Sequence, residues 1–344
     1  MDSLTQAALG ATLGGVIAGR ALGRTALVGG ALLGTVPDMD MVLDYGSAIA
    51  NFTQHRGFSH SLFLLVPLAV LLVPALHRWR PQVSRRRWLA FTLAILVTHP
   101  LLDTLTTYGT QLFWPFGPPL ATTSIFIIDP LYSLPLMLAV LYAMVKPPAP
   151  RAQGAALVLS SLYLLWAVGA QALVDRHVEQ ELARQELDDA PRMVQPMPLT
   201  TLLWRVTVLA DDERLEMVTG PLETGRPLTI ERFSRSTERI DQLASLPEGR
   251  RLLWFTKGFV DVTLDDGRLL ATDIRLGVPG AHPFTFAVAR QKADGSLSPI
   301  ASTLEPRPPM QGQALRALWS RLSGEADILC LATLQALPAG ETCP

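Results

Sequence analysis

Charge is what this chain lacks most. Only 17% of its 344 residues are charged, against about 25% in soluble domains. The shortage is local: residues 1–175 hold 10 basic and 7 acidic side chains and no Glu, whereas residues 176–344 hold the other 19 basic and 23 acidic ones. A membrane domain over 1–175 followed by a soluble domain over 176–344 is the expected organisation. The net charge of −1 gives no electrostatic basis for a nucleic-acid partner. Cysteine is nearly missing as well. Cys330 and Cys343 exclude a four-Cys zinc site and leave one disulfide or two free thiols open, according to compartment. The N-terminus has no basic region before its apolar stretch: Asp2 comes early and Arg20 is the first arginine. It therefore reads as retained rather than as a cleaved signal peptide.

Apolar stretches cover about 4–19, 25–36, 61–76, 88–102, 125–145 and 154–174. Crossing hydrocarbon takes about 20 residues, which the last two meet comfortably. The first two are short and rich in small residues. Gly10/Gly14, Gly15/Gly19 and Gly30/Gly34 are small-xxx-small pairs that allow close helix approach, so 4–36 reads as a tight helical hairpin. Orientation follows from the distribution of Arg and Lys. Nine of the ten basic residues fall at 20–24, 77–87 and 146–151, and the alternate connections 37–60 and 103–124 carry only Arg56. Multiple spans are thus expected, with those connections and everything after 174 outside the cytoplasm. The outer part should begin with a charged helical run, 175–189. Strands follow near 202–209, 227–233 and 259–264, with a hairpin at Asp265-Asp266-Gly267, a second pair around Ala293-Asp294-Gly295, and a helix over 311–336. These elements predict a mixed α/β domain built on an antiparallel sheet.

Three motifs lie at the predicted outer helix ends: Pro37-Asp38-Met39-Asp40, His55-Arg56-Gly57-Phe58-Ser59-His60-Ser61, and His99-Pro100-Leu101-Leu102-Asp103. Ionisable groups in spanning segments are costly and mark function. His99 and Asp103 are spaced i, i+4, so they share a helix face one turn apart, as ligand pairs on metal-binding helices do. Taken singly, Asp38 and Asp40 would serve as helix caps, His55 and His60 as interfacial side chains, and His99/Asp103 as a buried hydrogen-bonded pair. Three histidines and three aspartates on one face instead point to a common metal. The candidate ligands are Asp38, Asp40, His55, His60, His99 and Asp103. A His/Asp set without Cys suits zinc or manganese in hydrolytic chemistry, as one ion or two. Arg56 is the candidate anion-binding group, and Tyr108 and Asp129 are candidate supporting residues. Ser59 and Ser61 lack the G-x-S-x-G surroundings of a serine nucleophile.

These motifs, with the start M-D-S-L-T-Q-A-A-L-G, the run H-P-L-L-D-x-x-T-x-Y-G, the stretch Ser124–Tyr132 and Leu202-Leu203-Trp204-Arg205, resemble the YdjM-like family of bacterial inner-membrane proteins. The resemblance implies a membrane-bound metal-dependent hydrolase without a settled substrate. Many members of that family carry His directly after Thr5, where this chain has Gln6, a departure that argues against metal ligation from the N-terminal hairpin. The expectation is a hydrolase at the outer face of the bacterial cytoplasmic membrane, acting on a lipid or lipid-linked phosphoester. The alternatives are a metal or proton transporter, which would need a polar path toward the basic side, and a non-catalytic assembly protein that uses the metal to lock helices.

Overall fold

Small residues set the first contact of the fold. Helix α1 (Ser3–Leu22), capped by Asp2 accepting from the Thr5 amide, packs on α2 (Arg24–Thr35). The seam is glycine against glycine: a Cβ on Gly10 would fall on the Gly30 carbonyl oxygen, one on Gly30 on that of Gly10, and one on Gly34 would lie 2.8 Å from the Gln6 oxygen. Gly15 instead faces Gln153, and Gly19 faces open space. This computed structural model describes the chain apart from residues 224, 307–311, 339 and 344. It divides into two compact units. The first comprises 1–43, 54–169 and 198–200; the second comprises 44–53, 170–197 and 201–344.

In the first unit a 3-10 turn (Pro37–Val42) follows α2. Helix α3 (Ala48–Gln54), which belongs to the second unit as far as Thr53, leads back to a second 3-10 turn (Phe58–His60) of the first. Then come α4 (Leu62–Trp79), α5 (Arg85–Asp103), α6 (Pro130–Val145) and α7 (Pro150–Ala183). Two of these, α4 and α7, are long and apolar enough to cross a membrane, with mean hydropathy of 1.9 and 1.8 over their most apolar windows. Helix α6 is apolar but has 16 residues. It is shorter than the stretch 125–145 because Asp129 caps it, accepting from the Leu131 and Tyr132 amides. Helix α5 runs through Pro100 to Asp103.

The second unit is organised on two antiparallel four-stranded sheets in sequential order, where a single sheet was expected. The first holds β1 (Arg192–Pro196), β2 (Trp204–Leu209), β3 (Glu213–Thr219) and β4 (Ile230–Ser234). The far half of α7 packs on it: Ala170, Val174, Val178 and Leu182, one turn apart, meet Trp204, Val206, Val208, Leu215 and Met217. After α8 (Thr237–Ser245) and α9 (Pro247–Thr256) comes the second sheet, β5 (Val260–Asp265), β6 (Arg268–Asp273), β7 (Thr285–Gln291) and β8 (Leu297–Leu304). Asp265 pairs with Arg268, so Asp266-Gly267, both at positive φ, form the two-residue hairpin turn. Helix α10 (Gly312–Leu322) is shorter than the expected helix. Gly324 at positive φ follows it, and the chain continues as β9 (Ile328–Cys330) and β10 (Gln335–Leu337). Cys330 and Cys343 are disulfide-bonded, with Cα atoms 5.5 Å apart. Segment 44–53 also belongs here: Phe52 stacks among Phe255, Phe284 and Phe286 with ring centroids 4.7–5.3 Å away, and the Ile49 amide donates to Ser302 Oγ at 2.8 Å.

One histidine of this unit predicts a pH dependence. Burial, then the Arg205 guanidinium, pushes His282 down to about 3, while its Nδ1–H donates to the Leu276 carbonyl at 2.8 Å. Between an unfolded value of about 6.5 and about 3, the unfolded chain binds a proton that the folded one refuses. The contribution is therefore complete above pH 6.5 and declines as pH falls below it. Thermal unfolding of the purified protein should show a melting temperature that drops from pH 7 to pH 5. His282→Gln should flatten that slope; an unchanged slope would remove His282 as its cause.

Candidate metal centre

Three elements of the first unit carry four side chains to one point. Asp38 comes from the turn after α2, His60 from the turn before α4, and His99 and Asp103 from the last turns of α5. Their candidate ligand atoms all lie within 4.8 Å of one another. His60 Nε2 is 3.4 Å from Asp38 Oδ1, 3.2 Å from Asp103 Oδ2 and 3.2 Å from His99 Nε2. His99 Nε2 is 3.4 Å from Asp38 Oδ1 and 3.5 Å from Asp103 Oδ2. His60, His99 and Asp103 are buried, and Asp38 is 10% exposed.

The outer partners assign the tautomers. His99 Nδ1–H donates to the Gly34 carbonyl at 2.6 Å, so its neutral ring presents a lone pair at Nε2. Ser59 Oγ–H donates to Asp40 Oδ2 at 2.6 Å, so its oxygen accepts from His60 Nδ1–H at 2.9 Å. His60 Nε2 then also presents a lone pair. With both rings neutral and both carboxylates ionised, four acceptors face one another. Asp103 Oδ2 accordingly has no hydrogen-bond partner although it is buried. A cation at the centre would relieve the repulsion among these acceptors. The pull on a proton has the same origin: burial disfavours imidazolium, yet the facing carboxylates of Asp103 and Asp38 raise His60 above the usual histidine range. The donor set fits a divalent metal, with the outer hydrogen bonds fixing each ring as metal-bound histidines require.

Of the six expected ligands, these four converge. Asp40 and His55 do not join them but pair with each other, His55 Nδ1 to Asp40 Oδ1 at 2.9 Å. Although burial favours the neutral acid, the hydrogen bonds from His55 and Ser59 hold Asp40 below the usual carboxylate range. Asp40 thereby supports His60 through Ser59. Arg56 is buried rather than open to an anion. Its Nε lies 3.3 Å from Asp103 Oδ2, Nη1 donates to Thr106 Oγ1 at 3.1 Å, and the guanidinium covers the Tyr108 ring. Its backbone is left-handed, φ 60. That conformation is uncommon for such a residue; here its amide donates to Asp40 Oδ2 and its carbonyl accepts from the Gln111 amide. Tyr108 also lies edge-on to His55 at 5.5 Å. Asp129 is not part of the cluster; it caps α6 and accepts from Tyr163 Oη at 2.8 Å.

Sequence reasoning missed three contributors. Gln6 Nε2 donates to Asp103 Oδ1 at 3.1 Å and to the His99 carbonyl at 3.2 Å, so position 6 reaches the site without being one of the four ligands. Its departure from the relatives' His was the available signal. The Met1 amino group contacts Asp103 Oδ1, and Gly34 acts through a carbonyl that no motif could reveal.

Comparisons with known proteins agree with a membrane setting. The inner membrane protein YbcI of Escherichia coli (strain K12) is 33% identical over 112 residues, covering 32% of this chain and 64% of that protein. The uncharacterized protein YfhP of Bacillus subtilis (strain 168) is 28% identical over 124 residues, covering 34% of this chain and 38% of that protein. The chain thus spans less than two thirds of either relative. No solved structure matches it. The family model described as YdjM inner membrane protein matches residues 1–174, half of the chain and all four converging side chains, and the chain belongs to the YdjM inner membrane protein family.

Proposed function

We propose that this protein is a metal-dependent hydrolase of the inner membrane, acting on a lipid or lipid-linked phosphoester at the outer face. The observation that carries the reading is the convergence of Asp38 Oδ1, His60 Nε2, His99 Nε2 and Asp103 Oδ2 on one point. Five of the six spacings among these atoms are 3.2–3.5 Å, close enough for the four side chains to hold one divalent ion together. When bound, the ion supplies Lewis-acid polarisation of the scissile group. His55 is placed to take a proton: its Nδ1–H donates to Asp40, its Nε2 is the accepting nitrogen, and its side chain is 19% exposed. The His–Asp pair follows the logic by which a carboxylate orients an imidazole base. Arg56 and Gln6 hold Asp103 in position.

A lipid-side substrate is supported by the loop beside the site. Phe63, Phe113, Trp114 and Phe116 are exposed, as aromatic residues at a membrane interface are. The loop is tied to the His60 turn by Ser61 Oγ donating to the Trp114 carbonyl at 2.8 Å and the Leu62 amide to the Leu112 carbonyl at 3.0 Å. The outer placement rests on the basic-residue distribution and on the paired cysteines, which suit an oxidising compartment. Alkaline phosphatase fused after Asp175 should be active and a fusion within 80–86 inactive; the reverse would overturn the orientation.

A specific observation favours a second reading. Four protein ligands make a closed site, the usual form of structural zinc, so the ion could lock α2 and α5 without turnover. Elemental analysis of purified protein, followed by phosphoester hydrolysis with and without chelator, separates the two. The hydrolase reading expects stoichiometric metal and chelator-sensitive turnover, with His55→Gln retaining metal and losing turnover. Bound metal whose removal lowers only thermal stability would leave the locking role. A metal-free protein would defeat both.

A further inference from the structure

Helix α1 connects the metal site to a second feature. Arg20 lies fourteen residues beyond Gln6, about 21 Å along the helix. There it lines a cleft of about 590 Å³ with Tyr142, Lys146, Pro148, Pro150 and Arg151, a volume within the usual range of small-molecule sites. Three cations line the cleft and no carboxylate does. Among the described residues no ion pair engages Arg20, Lys146 or Arg151, whereas many arginines of the second unit are paired.

Helix electrostatics accounts for two of these cations and not for the third. Arg20, in the last turn of α1, and Lys146, at the C-cap of α6, sit where positive charge complements the helix dipole. Arg151 occupies the first turn of α7, which has no acidic residue. A cation there opposes the dipole. An anion in the cleft would pair with Arg151 and the other two cations together. The flanks are apolar: Leu141, Val145, Val158 and Leu159 are all more than half exposed, and the half-exposed Tyr142 stands at their edge.

We infer that this cleft binds the phosphate of an anionic membrane lipid headgroup, with the acyl chains lying along the exposed faces of α6 and α7. Basic pockets between membrane helices recognise such headgroups through the same combination of charge and apolar flank. The site is separate from the metal centre and does not depend on hydrolase activity.

Native mass spectrometry of the full-length protein, released from detergent containing equal phosphatidylglycerol and phosphatidylethanolamine, tests the inference. Wild type should retain phosphatidylglycerol over phosphatidylethanolamine by about tenfold. The triple variant Arg20→Gln, Lys146→Gln, Arg151→Gln should retain both equally while keeping its metal content and melting temperature. Arg85→Gln, Arg86→Gln, Arg87→Gln removes as many exposed charges outside the cleft and should keep the preference. Equal retention by wild type, or equal loss in both triple variants, would overturn the site. Displacement of phosphatidylglycerol by millimolar inorganic phosphate would assign the cleft to a soluble phosphate compound and overturn the lipid assignment.

Discussion

Replacing either His99 or Asp103 with alanine is expected to strip the metal from the purified protein almost completely, and the double variant should lose little more. Each supplies one of four mutually facing ligand atoms, and Asp103 Oδ2 has no other hydrogen-bond partner. Outer-sphere changes at metal sites typically cost about 10–100-fold in affinity, so loss of a direct ligand should exceed that. Residues acting as one unit are strongly non-additive, hence the small increment in the double variant. Ser59→Ala provides a graded comparison. It breaks the bridge between Asp40 and His60 Nδ1 and should weaken metal binding by about 10–100-fold without abolishing it. Metal analysis after dialysis against a weak chelator measures all four proteins. Full occupancy in both single variants would reduce His99 and Asp103 to a buried hydrogen-bonding pair of α5.

The second large effect should come from a residue that touches no ligand. In Gly30→Ala the new methyl group meets the backbone carbonyl of Gly10 on the facing helix, and a helix backbone cannot step aside as a side chain can. Overpacking of this kind costs about 1–3 kcal/mol and sometimes more. Relief requires α1 and α2 to separate, which moves the Gly34 carbonyl away from His99 Nδ1 and shifts the turn carrying Asp38. Gly30→Ala should therefore reduce both thermal stability and metal content. Gly19→Ala, whose Cβ would meet nothing within 4 Å, should leave both unchanged. Indistinguishable behaviour of the two variants in detergent would show that the seam tolerates widening.

Much of the site was legible because its ligands follow helical spacing or stand beside a helix end. His99 and Asp103 share a face through the i, i+4 relation, and Asp38 and His60 flank the apolar stretches. The sequence did not distinguish ligands from supporting residues. Asp38 and Asp40 are two positions apart in one turn, and only the folded geometry sends Asp38 to the centre and Asp40 to Ser59 and His55. Arg56 carried a charge that suggested an open anion site, yet its left-handed backbone turns it inward onto Asp103 and Tyr108. In the second unit, turn chemistry revealed the Asp266-Gly267 hairpin, while the short strands β1 and β9 lack clear alternation. The stretch 323–336 reads as helical from composition, but its strand pairing is a tertiary contact that local pattern does not encode.

Segment 44–53 has a consequence for how such a chain can be rearranged. Its Phe52 and Ile49 belong to the unit that otherwise begins at residue 170, although the segment lies between two stretches of the first. The polypeptide therefore crosses from one unit to the other more than once, and no single junction separates them. A gene truncated after Gly169 would leave Phe52 without the rings that surround it, and a second unit grafted elsewhere would lack the aromatic plug that fills it. Gain or loss of the second unit thus demands coordinated change in a segment more than a hundred residues upstream.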